Sequence, residues 1–443
     1  MVSRVQRFNK PRDGLFQSLS FTVQFALEEG IAFAQTTNSQ PSILSIMPAS
    51  ISCIPTINVS HEEQTQYDGF ASNLLRKTVT EYSSFHGYID TDDWSFVRKK
   101  NQMSIYRSLH GTNDPRVTLM VGTGLIPGAL EDVMDGLYSD NTDDLRSVKT
   151  FTTKKFINGA VLNVSEKRVP EAPFRFAGIK WSAAKAAWGM VKHRDILTYE
   201  RMGTTTDAHG NELAFHVLQS IERPEWIVDA VKGVKRAQTA TCYLYRRCNS
   251  RVQCFVWAEV YDLGSTSKRV AEYVIAGVLL NVVRSVKCAE AKKCSKLINE
   301  ALRKSITANN VCHVCYKGSG VFDHLRTCSG CIQKVCKSCS QYRQVFEVDP
   351  RTGKPMEERF CKLCISKVVS SPVIVSHAST ARRSLHSDPG ARRTSPVINK
   401  ARREKTRSAP ARFLAQSRHI KRPLMDLNDS HALSSDDEDS DAY

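Results

Sequence analysis

The stretch CHVCYKGSGVFDHLRTCSGCIQKVCKSCSQYRQVFEVDPRTGKPMEERFCKLC, residues 312–364, carries four Cys-x-x-Cys pairs and decides how this part of the chain folds. Each pair places two thiolates in one tight turn, an arrangement that holds a single metal ion. Four pairs therefore supply two tetrahedral sites of four thiolates each. His313 and His324 fall outside this spacing, so cysteine alone is predicted to bind the metals. The predicted ligands are Cys312, Cys315, Cys328, Cys331, Cys336, Cys339, Cys361 and Cys364.

Zinc is the metal that this ligand set favours, because four-cysteine sites typically hold structural zinc. A segment this short buries too little apolar surface to fold unaided. Structural zinc binding is worth on the order of 10–16 kcal/mol, which offsets the deficit. Four protein ligands leave no open coordination position for catalysis. The sequence thus predicts two structural Zn2+ ions as cofactors.

The order and spacing of the pairs resemble a FYVE-type zinc finger, in which alternate pairs share a metal in a cross-brace. Arg359-Phe360-Cys361 stands where that family has Arg-Val-Cys. Residues 345–348 and 356–361, separated by a turn at 349–353, are predicted to form a hairpin. The resemblance implies one zinc on Cys312, Cys315, Cys336 and Cys339, and the other on Cys328, Cys331, Cys361 and Cys364.

FYVE fingers bind phosphatidylinositol 3-phosphate through a basic run and an upstream tryptophan motif, and this sequence departs from both. The corresponding run, residues 324–329, keeps one histidine and one arginine, and Ile332 stands where the family has glycine. Loss of cationic donors weakens phosphoinositide binding. The alternative that the finger binds a protein partner, such as a small GTPase, therefore remains. The candidate head-group contacts are His324, Arg326 and Arg359, and the candidates for membrane insertion are Val321 and Phe322.

Upstream of the finger, residues 59–305 are predicted to form one α+β domain with an antiparallel sheet. Apolar residues from Tyr67 to Tyr82 recur at three- and four-residue steps, which indicates a helix. A short helix is predicted at 127–137, and a long closing helix from Ser267 to Arg303. Strands are predicted at residues 94–106, 116–121, 148–156, 160–164, 195–202, 214–221, 239–245 and 253–260.

This order is similar to that of START lipid-transfer domains, a helix-grip fold in which an antiparallel sheet and a long C-terminal helix enclose an apolar cavity. The matches are Trp94 in the first strand, residues 117–137, residues 191–195 and the helix after Gly264. The resemblance implies a lipid or sterol in the cavity, with Arg194 as a candidate polar contact. A core filled by side chains is the alternative.

Other motifs in the domain have simpler interpretations. Residues 122–128, GTGLIPG, superficially suggest a dinucleotide loop, but no βαβ series follows, so turn glycines explain them better. The histidines at 193, 209 and 216 are interpreted as ordinary strand or turn residues. No catalytic triad or carboxylate pair stands out, so the protein is expected not to be an enzyme. Five cysteines of the domain lack metal-ligand spacing and are predicted to be buried thiols: Cys242, Cys248, Cys254, Cys288 and Cys294.

The 443 residues divide into four segments by composition. Residues 1–58 are irregular, 59–305 form the START-like domain, 306–369 form the finger, and 370–443 form a disordered basic tail with an acidic end. The net charge of +17 indicates anionic partners. No transmembrane run or signal peptide is evident, so a cytoplasmic protein is expected.

Together these features predict a non-enzymatic adaptor, peripheral on endosomal membrane, that binds an anionic phospholipid surface. Phosphatidylinositol 3-phosphate is the candidate lipid for the finger, and a lipid or sterol is the candidate for the domain interior. A scaffold that binds protein through the finger is the first alternative. Nucleic-acid binding through the basic tail is the second alternative, and it predicts a steep salt dependence with no role for the finger.

Overall fold

The computed structural model describes residues 56–85, 87–110, 112, 114, 116–185, 193–223, 226, 234–261, 267–303, 310–319 and 324–370. The predicted irregular N-terminal segment falls almost entirely outside these residues, and so does the predicted tail. The four predicted domain boundaries therefore stay predictions. None of the helices described is long and apolar enough to cross a bilayer.

The first helix, α1, is His61–Ser84 and begins with a capping box. The Ser60 side chain accepts a hydrogen bond from the Glu63 backbone, and the Glu63 carboxylate accepts one from the Ser60 backbone. Both bonds satisfy amide groups that a helix start leaves without partners. The periodic apolar face predicted from Tyr67 to Tyr82 is confirmed, since both rings are buried against the sheet.

Ten strands form one sheet in the order β1-β2-β3-β10-β9-β7-β6-β5-β4. Neighbours along this path pair antiparallel, and β8 pairs parallel with β6 off the path. The strands are β1 Trp94–Lys100, β2 Gln102–Ser108, β3 Val117–Pro127, β4 Phe156–Glu166, β5 Phe176–Ala184, β6 His193–Thr206, β7 Glu212–Ser220, β8 Val234–Arg236, β9 Thr239–Cys248 and β10 Arg251–Tyr261.

Helices cover both faces of this sheet. We call the face against α1 the outer face, where the Tyr82 ring packs on Phe255 at 5.5 Å. We call the opposite face the inner face, where the Tyr243 hydroxyl donates to the Leu279 carbonyl at 3.1 Å. The inner face is covered by α2 Leu130–Leu137, α3 Thr142–Thr152, α4 Lys268–Leu279, a 3-10 turn at Leu280–Arg284 and α5 Ser285–Ala301.

The finger is built from short elements around the cysteine pairs. Strands β13 and β14 form the predicted hairpin, which extends back to Ser340. The elements are β11 Arg326–Thr327, β12 Lys334–Val335, a 3-10 turn at Lys337–Cys339, β13 Ser340–Val348, β14 Pro355–Cys361 and α6 Lys362–Ser370. The predicted α+β class is thus confirmed, with a large, mostly antiparallel sheet under C-terminal helices and a small finger whose cysteine pairs interleave.

The finger packs directly on α5. The Phe346 ring of β13 stacks on Phe151 of α3 at 6.4 Å, and the Phe346 amide donates to the Ser295 hydroxyl at 2.8 Å. Cys294 and Leu297 of α5 belong to the same buried cluster as the finger cysteines. The closing helix of the domain is therefore also a wall of the finger.

Three expectations about secondary structure are wrong in detail. Residues 148–156 were expected to be a strand, but 148–152 end α3, where Asn141 caps the helix and Leu145, Val148 and Phe151 recur at helical spacing. The single strand expected at 94–106 is a hairpin, because Asn101 adopts a left-handed turn conformation with φ 51°. The closing helix is interrupted by the 3-10 turn at Leu280–Arg284.

Candidate functional sites: two cysteine tetrads and a buried ion pair

The eight predicted ligands form two clusters in space. Within each cluster the sulfur atoms all lie within 4.8 Å of one another, and the pairs interleave as a cross-brace. Each tetrad could hold one metal ion. The first tetrad is Cys312, Cys315, Cys336 and Cys339, and the second is Cys328, Cys331, Cys361 and Cys364.

Sulfur spacing tests whether zinc fits the tetrads. A tetrahedral ion with zinc–sulfur distances of about 2.3 Å places its sulfurs roughly 3.8 Å apart. The Sγ atoms of Cys315 and Cys336 are 3.7 Å apart, and those of Cys331 and Cys361 are 3.9 Å apart. Both distances match, so the donor set and its size suit zinc.

The first and the second Cys-x-x-Cys pair each lie in a tight turn that is closed by a backbone hydrogen bond. The Tyr316 amide donates to the Cys312 carbonyl, and the Ile332 amide donates to the Cys328 carbonyl, both at 2.8 Å. Each turn ends in a left-handed residue, with φ 59° at Tyr316 and 62° at Ile332. That conformation favours glycine and is unusual for a β-branched residue. Ile332 therefore holds a conformation that glycine would adopt at lower cost.

The predicted head-group contacts differ in exposure and in hydrogen bonding. His324 and Arg326 are exposed, and Arg326 pairs with Val335 across the short β11–β12 ladder. Arg359 instead donates to Ser340 and Tyr342, each at 2.9 Å, and its guanidinium lies 4.5 Å from the Tyr342 ring centre. Arg359 therefore braces the β13–β14 hairpin. The membrane-insertion candidates Val321 and Phe322 lie outside the described residues.

The inner face of the sheet holds a charged cluster that the sequence patterns did not reveal. Lys180 of β5 lies 3.0 Å from the Glu200 carboxylate of β6, measured from Nζ to Oε2. His216 of β7 reaches the same oxygen with Nε2 at 3.3 Å. Three neighbouring strands thus bring one cation, one anion and one imidazole together. Lys180 and Glu200 are 2% and 3% exposed, so the pair is shielded from water.

Burial and pairing act against each other in this cluster. Burial lowers the pKa of Lys180 and of His216, because it disfavours their charged forms. Burial alone would raise the pKa of Glu200, but the Lys180 charge and the His216 hydrogen bond hold it well below its usual value. The imidazole is consequently neutral at pH 7, and the carboxylate is ionised.

Aromatic rings line the inner face beside this cluster. Lys180 lies 4.0 Å from the Phe176 ring centre, and Phe176 meets Tyr138 edge-on at 6.0 Å. On the other side, His216 stacks on Tyr243 at 6.3 Å, and Tyr243 stacks on Tyr245 at 6.1 Å. The charged cluster is thus embedded in an apolar and aromatic interior.

Three hydroxyl groups in and around this interior have no hydrogen-bond partner among the described residues. They belong to Ser139, which follows Tyr138, to Tyr245 on β9 and to Ser285 at the start of α5. The three residues are at most 1% exposed. A buried polar group left without a partner costs about 1–3 kcal/mol. These hydroxyls could therefore take a polar atom of a bound molecule.

Several other predicted residues have different positions than expected. Arg194, the candidate polar contact, donates to the carbonyl of His193, and its neighbour Asp195 pairs with Arg236. His216 is a member of the buried cluster, not an ordinary strand residue. Cys248 is exposed, whereas Cys242, Cys254, Cys288 and Cys294 are buried as predicted.

The glycine-rich stretch at 122–128 is no dinucleotide loop, but the expectation of turn glycines fails at Gly122. That residue lies inside β3, where an added Cβ would come within 2.3 Å of the Ile105 side chain and 2.6 Å of Val256. Gly122 therefore lets side chains from β2 and β10 close over β3. The turn explanation holds for Gly128, which follows the strand with φ 118°.

Surface clefts open on the part of the chain that the structure describes, and two of them are large. One, of about 640 Å3, lies at the tip of the β13–β14 hairpin, and the other, of about 630 Å3, runs between α1 and residues 219–223. Both lie away from the inner face, which is filled by a cluster of buried side chains. The expected enclosed lipid cavity therefore stays a prediction.

A scan against models of known protein families finds no match, and a search of curated protein sequences finds none either. Solved structures that the chain is similar to are StAR-related lipid transfer domains. Human StAR-related lipid transfer protein 5 is 14% identical, with a TM-score of 0.37, over 51% of this chain and 98% of that one. Human STARD10 is 12% identical, with a TM-score of 0.34, over 56% and 86%.

A further similar structure is a STAR-related lipid transfer protein from Xanthomonas axonopodis, at 12% identity and a TM-score of 0.33. The match covers 44% of this chain and 97% of that one.

Proposed function

We propose that the protein is a non-enzymatic, lipid-binding adaptor. The sheet and its closing helices hold one lipid or sterol molecule, and the zinc-loaded finger docks the protein on another surface. The observation that carries the lipid-binding part is the composition of the inner face. An apolar cluster of 24 buried residues includes Tyr245, and the neighbouring chain segments carry Ser139 and Ser285; these three hydroxyls have no partner among the described residues, which supports a site for an amphipathic molecule.

For the finger, the proposed surface is the anionic face of an endosomal membrane. His324 and Arg326 are exposed and available to a phosphate group. Phosphatidylinositol 3-phosphate is the candidate lipid by resemblance. The basic composition of the chain, with a net charge of +17, supports attraction to such a surface.

A protein-docking finger is the second candidate, and Arg359 is the observation that favours it. That guanidinium already binds Ser340 and Tyr342, so two of the three candidate head-group contacts, His324 and Arg326, remain for a phosphoinositide. The finger also uses one of its surfaces to contact protein, namely α5. A scaffold role would extend this behaviour to a separate partner.

Native mass spectrometry of the full chain tests the lipid-binding and zinc parts together, with the denatured mass as reference. We expect a bound mass equal to two zinc ions plus one lipid, released and identified after organic extraction. Two zinc ions without a lipid would support the scaffold and contradict lipid binding.

Vesicle sedimentation distinguishes the two roles of the finger. We expect pelleting with vesicles that contain phosphatidylinositol 3-phosphate, and loss of pelleting in the Arg326→Ala variant. The control is Arg351→Ala, which removes an arginine at the hairpin turn. Equal pelleting of Arg326→Ala and the wild type with these vesicles, or equal pelleting of the wild type with phosphatidylcholine vesicles of no net charge, would rule out head-group recognition by the finger.

A further inference from the structure

The first half of the finger, residues 310–340, is basic, and its cations lack acidic partners. It contains four lysine or arginine side chains and one carboxylate, Asp323, which lies outside the described residues. The four cations are Lys317, Arg326, Lys334 and Lys337. Among the residues that the structure describes, none of these four side chains takes part in an ion pair. This half of the finger is therefore open to an anion.

Backbone pairing brings the segments that carry these cations together. In the β11–β12 ladder Arg326 adjoins Thr327, and the Lys334 ammonium donates to the Thr327 hydroxyl at 3.2 Å. The His313 amide donates to the Lys334 carbonyl at 2.8 Å, which joins the turn that carries Lys317 to the ladder. Arg326 and Lys317 are exposed, and Lys334 is half-buried. An anion at this ladder thus meets several positive charges.

The second half of the finger, residues 341–370, differs in its charges. Its six cations are interspersed with four carboxylates. Arg343 pairs with Glu290 of α5 at 3.6 Å, and Arg359 donates to Ser340 and Tyr342. The unpaired positive charge of the finger is therefore concentrated in its first half.

The same chain carries an acidic run, SDDEDSD, at residues 435–441. The acidic run holds five carboxylates in seven residues and no cation, and it lies outside the described residues. Residues 371–434 connect it to α6, and α6 contains Cys364, a ligand of the second tetrad. The acidic run is thus tethered to the finger itself.

The length of the tether permits the acidic run to return to the finger. The composition of the tail predicts disorder. A coil of the 64 residues between α6 and the acidic run spans roughly 45 Å on average. Such a tether gives an effective concentration on the order of 1 mM. Single exposed ion pairs are weak, but several carboxylates held at that concentration can occupy a basic surface.

We propose that the acidic run docks on the cations around the β11–β12 ladder and competes there with an anionic membrane. In the docked state it lies against Arg326, one of the candidate head-group contacts, so the finger binds a membrane weakly. A membrane with enough negative charge displaces it. The competition rests on the proposed membrane-docking function, whereas the docking of the acidic run does not.

The tail itself contains a rival partner for the acidic run. Residues 382–422 hold thirteen cations. The finger is favoured because its cations stand on a backbone that the tetrads hold in place. A pre-organised surface loses less conformational freedom when it binds.

Carbodiimide cross-linking, which joins a carboxylate to a lysine in contact with it, tests the docking. The full chain, loaded with zinc, is cross-linked, and the monomer is digested for peptide mass spectrometry. The acidic run should be joined to Lys317, Lys334 or Lys337 at least threefold more often than to Lys155 and Lys268, which are exposed lysines of the sheet domain. Links to the finger that are no more frequent than links to these two lysines would overturn the proposal. Links found only at the tail lysines would assign the acidic run to the rival partner.

Vesicle sedimentation tests the competition, with phosphatidylcholine vesicles that contain phosphatidylinositol 3-phosphate. Neutralising the acidic run should lower the phosphoinositide content needed for half-maximal pelleting by about threefold. The variant combines Asp436→Asn, Asp437→Asn, Glu438→Gln, Asp439→Asn and Asp441→Asn. The matched control neutralises four tail carboxylates outside the acidic run and should pellet like the wild type: Asp388→Asn, Glu404→Gln, Asp426→Asn and Asp429→Asn.

An equal gain in the control would overturn the competition, because the gain would then follow net charge alone. Adding Arg326→Ala and Lys337→Ala to the neutralised variant should remove its advantage over the wild type, and an undiminished advantage would contradict docking on the finger. If neither the wild type nor the variants pellet, the proposed membrane docking fails and the competition fails with it. The cross-links then still decide whether the acidic run contacts the finger, so the two failures can be told apart.

Discussion

The finger and the sheet interior reach order by different physical routes. In the finger, six of the twelve buried cluster residues are cysteines of the tetrads, and two others belong to α5. In the sheet interior, 24 buried residues drawn from strands and helices across about 180 residues pack together without a metal ligand among them. Local spacing organises the first region, whereas long-range strand pairing organises the second.

This difference predicts which perturbations should destabilise each region. Removing metal withdraws the interaction that replaces a core in the finger. The sheet interior has enough apolar burial of its own to stay folded. The sheet interior is sensitive instead at its buried ion pair, because removal of either partner leaves the other charge buried without compensation. The two regions meet along α5, where a perturbation of either one can reach the other.

The largest expected effect comes from removing a tetrad ligand. Cys336→Ser should unfold the finger, because a structural zinc site is worth on the order of 10–16 kcal/mol. Hydrogen exchange measured by mass spectrometry should show lost protection in residues 326–361, with β9 and β10 still protected. Cys248→Ser, at an exposed cysteine outside the tetrads, should change neither region. Full protection of residues 326–361 in Cys336→Ser would contradict a metal-dependent finger.

The reverse perturbation targets the sheet interior. Glu200→Gln should lower the free energy of unfolding at pH 7 by about 3–5 kcal/mol, because it leaves the Lys180 charge buried without its partner. Urea denaturation followed by tryptophan fluorescence measures the change. The double variant Lys180→Met with Glu200→Gln should recover most of the loss. If the double variant is as unstable as the single one, pairing is not what stabilises this cluster.

The same cluster predicts a pH dependence. Burial lowers the pKa of folded His216, so the unfolded chain takes up a proton first as the pH falls. Stability contributed by the neutral imidazole is present above the unfolded pKa of about 6.5 and decreases below it. Urea denaturation at pH 7.5 and 5.5 should show this loss, and His216→Gln should reduce it. His209→Gln, at an exposed turn residue, should leave the loss unchanged.

A smaller effect is expected at the contact between the two regions. Phe346→Ala removes the ring that stacks on Phe151 and that faces the Lys292 ammonium at 5.1 Å. The cost should be about 3 kcal/mol, typical of a buried phenylalanine. Hydrogen exchange should increase in α5 and β13 while native mass spectrometry still counts two zinc ions. Tyr342→Ala, on the same strand but 56% exposed, is the comparison variant.

The smallest effect should be a gain. Tyr316→Gly relieves a left-handed conformation that costs a non-glycine residue about 1–2 kcal/mol, and the Tyr316 side chain is 76% exposed. We expect zinc to be retained at higher chelator concentration, by a free energy of about 1 kcal/mol. His313→Gly, in the same turn but without positive φ, should show no gain. A lower zinc retention in Tyr316→Gly would contradict the strain at this turn.

Sequence patterns predicted the finger far better than the sheet interior, and the reason is distance along the chain. Two four-cysteine sites and the β13–β14 hairpin follow from spacings within 53 residues, and the resemblance to a known finger supplied which pairs share a site. The buried cluster joins Lys180, Glu200 and His216 from three strands. A lysine and a glycine interrupt the apolar pattern of β5, so that strand was not predicted at all. Only the pairing of β5 with β6 brings Glu200 to Lys180 and permits burial of that lysine.

Local signals also explain the two other differences. Thr and Val residues at 148–153 favour a strand by propensity, but the Asn141 cap and the packing of Val148 and Phe151 select a helix. Asparagine tolerates the left-handed conformation that a tight turn requires. Asn101 was therefore the signal in the sequence that residues 94–106 form a hairpin. Tertiary contacts decided the first case, and turn chemistry decided the second.

The shared helix α5 has a thermodynamic consequence. Its Cys294 and Leu297 pack with the finger, and Val286 near its start packs against the buried cluster of the inner face. If metal at the tetrads favours one placement of this helix, and a ligand inside the sheet favours the same one, each raises the affinity for the other by the same factor. A chain that holds its ligand would then release zinc more slowly to a chelator. A chain without zinc would release its ligand sooner. The metal would then stabilise the bound ligand as well as the finger.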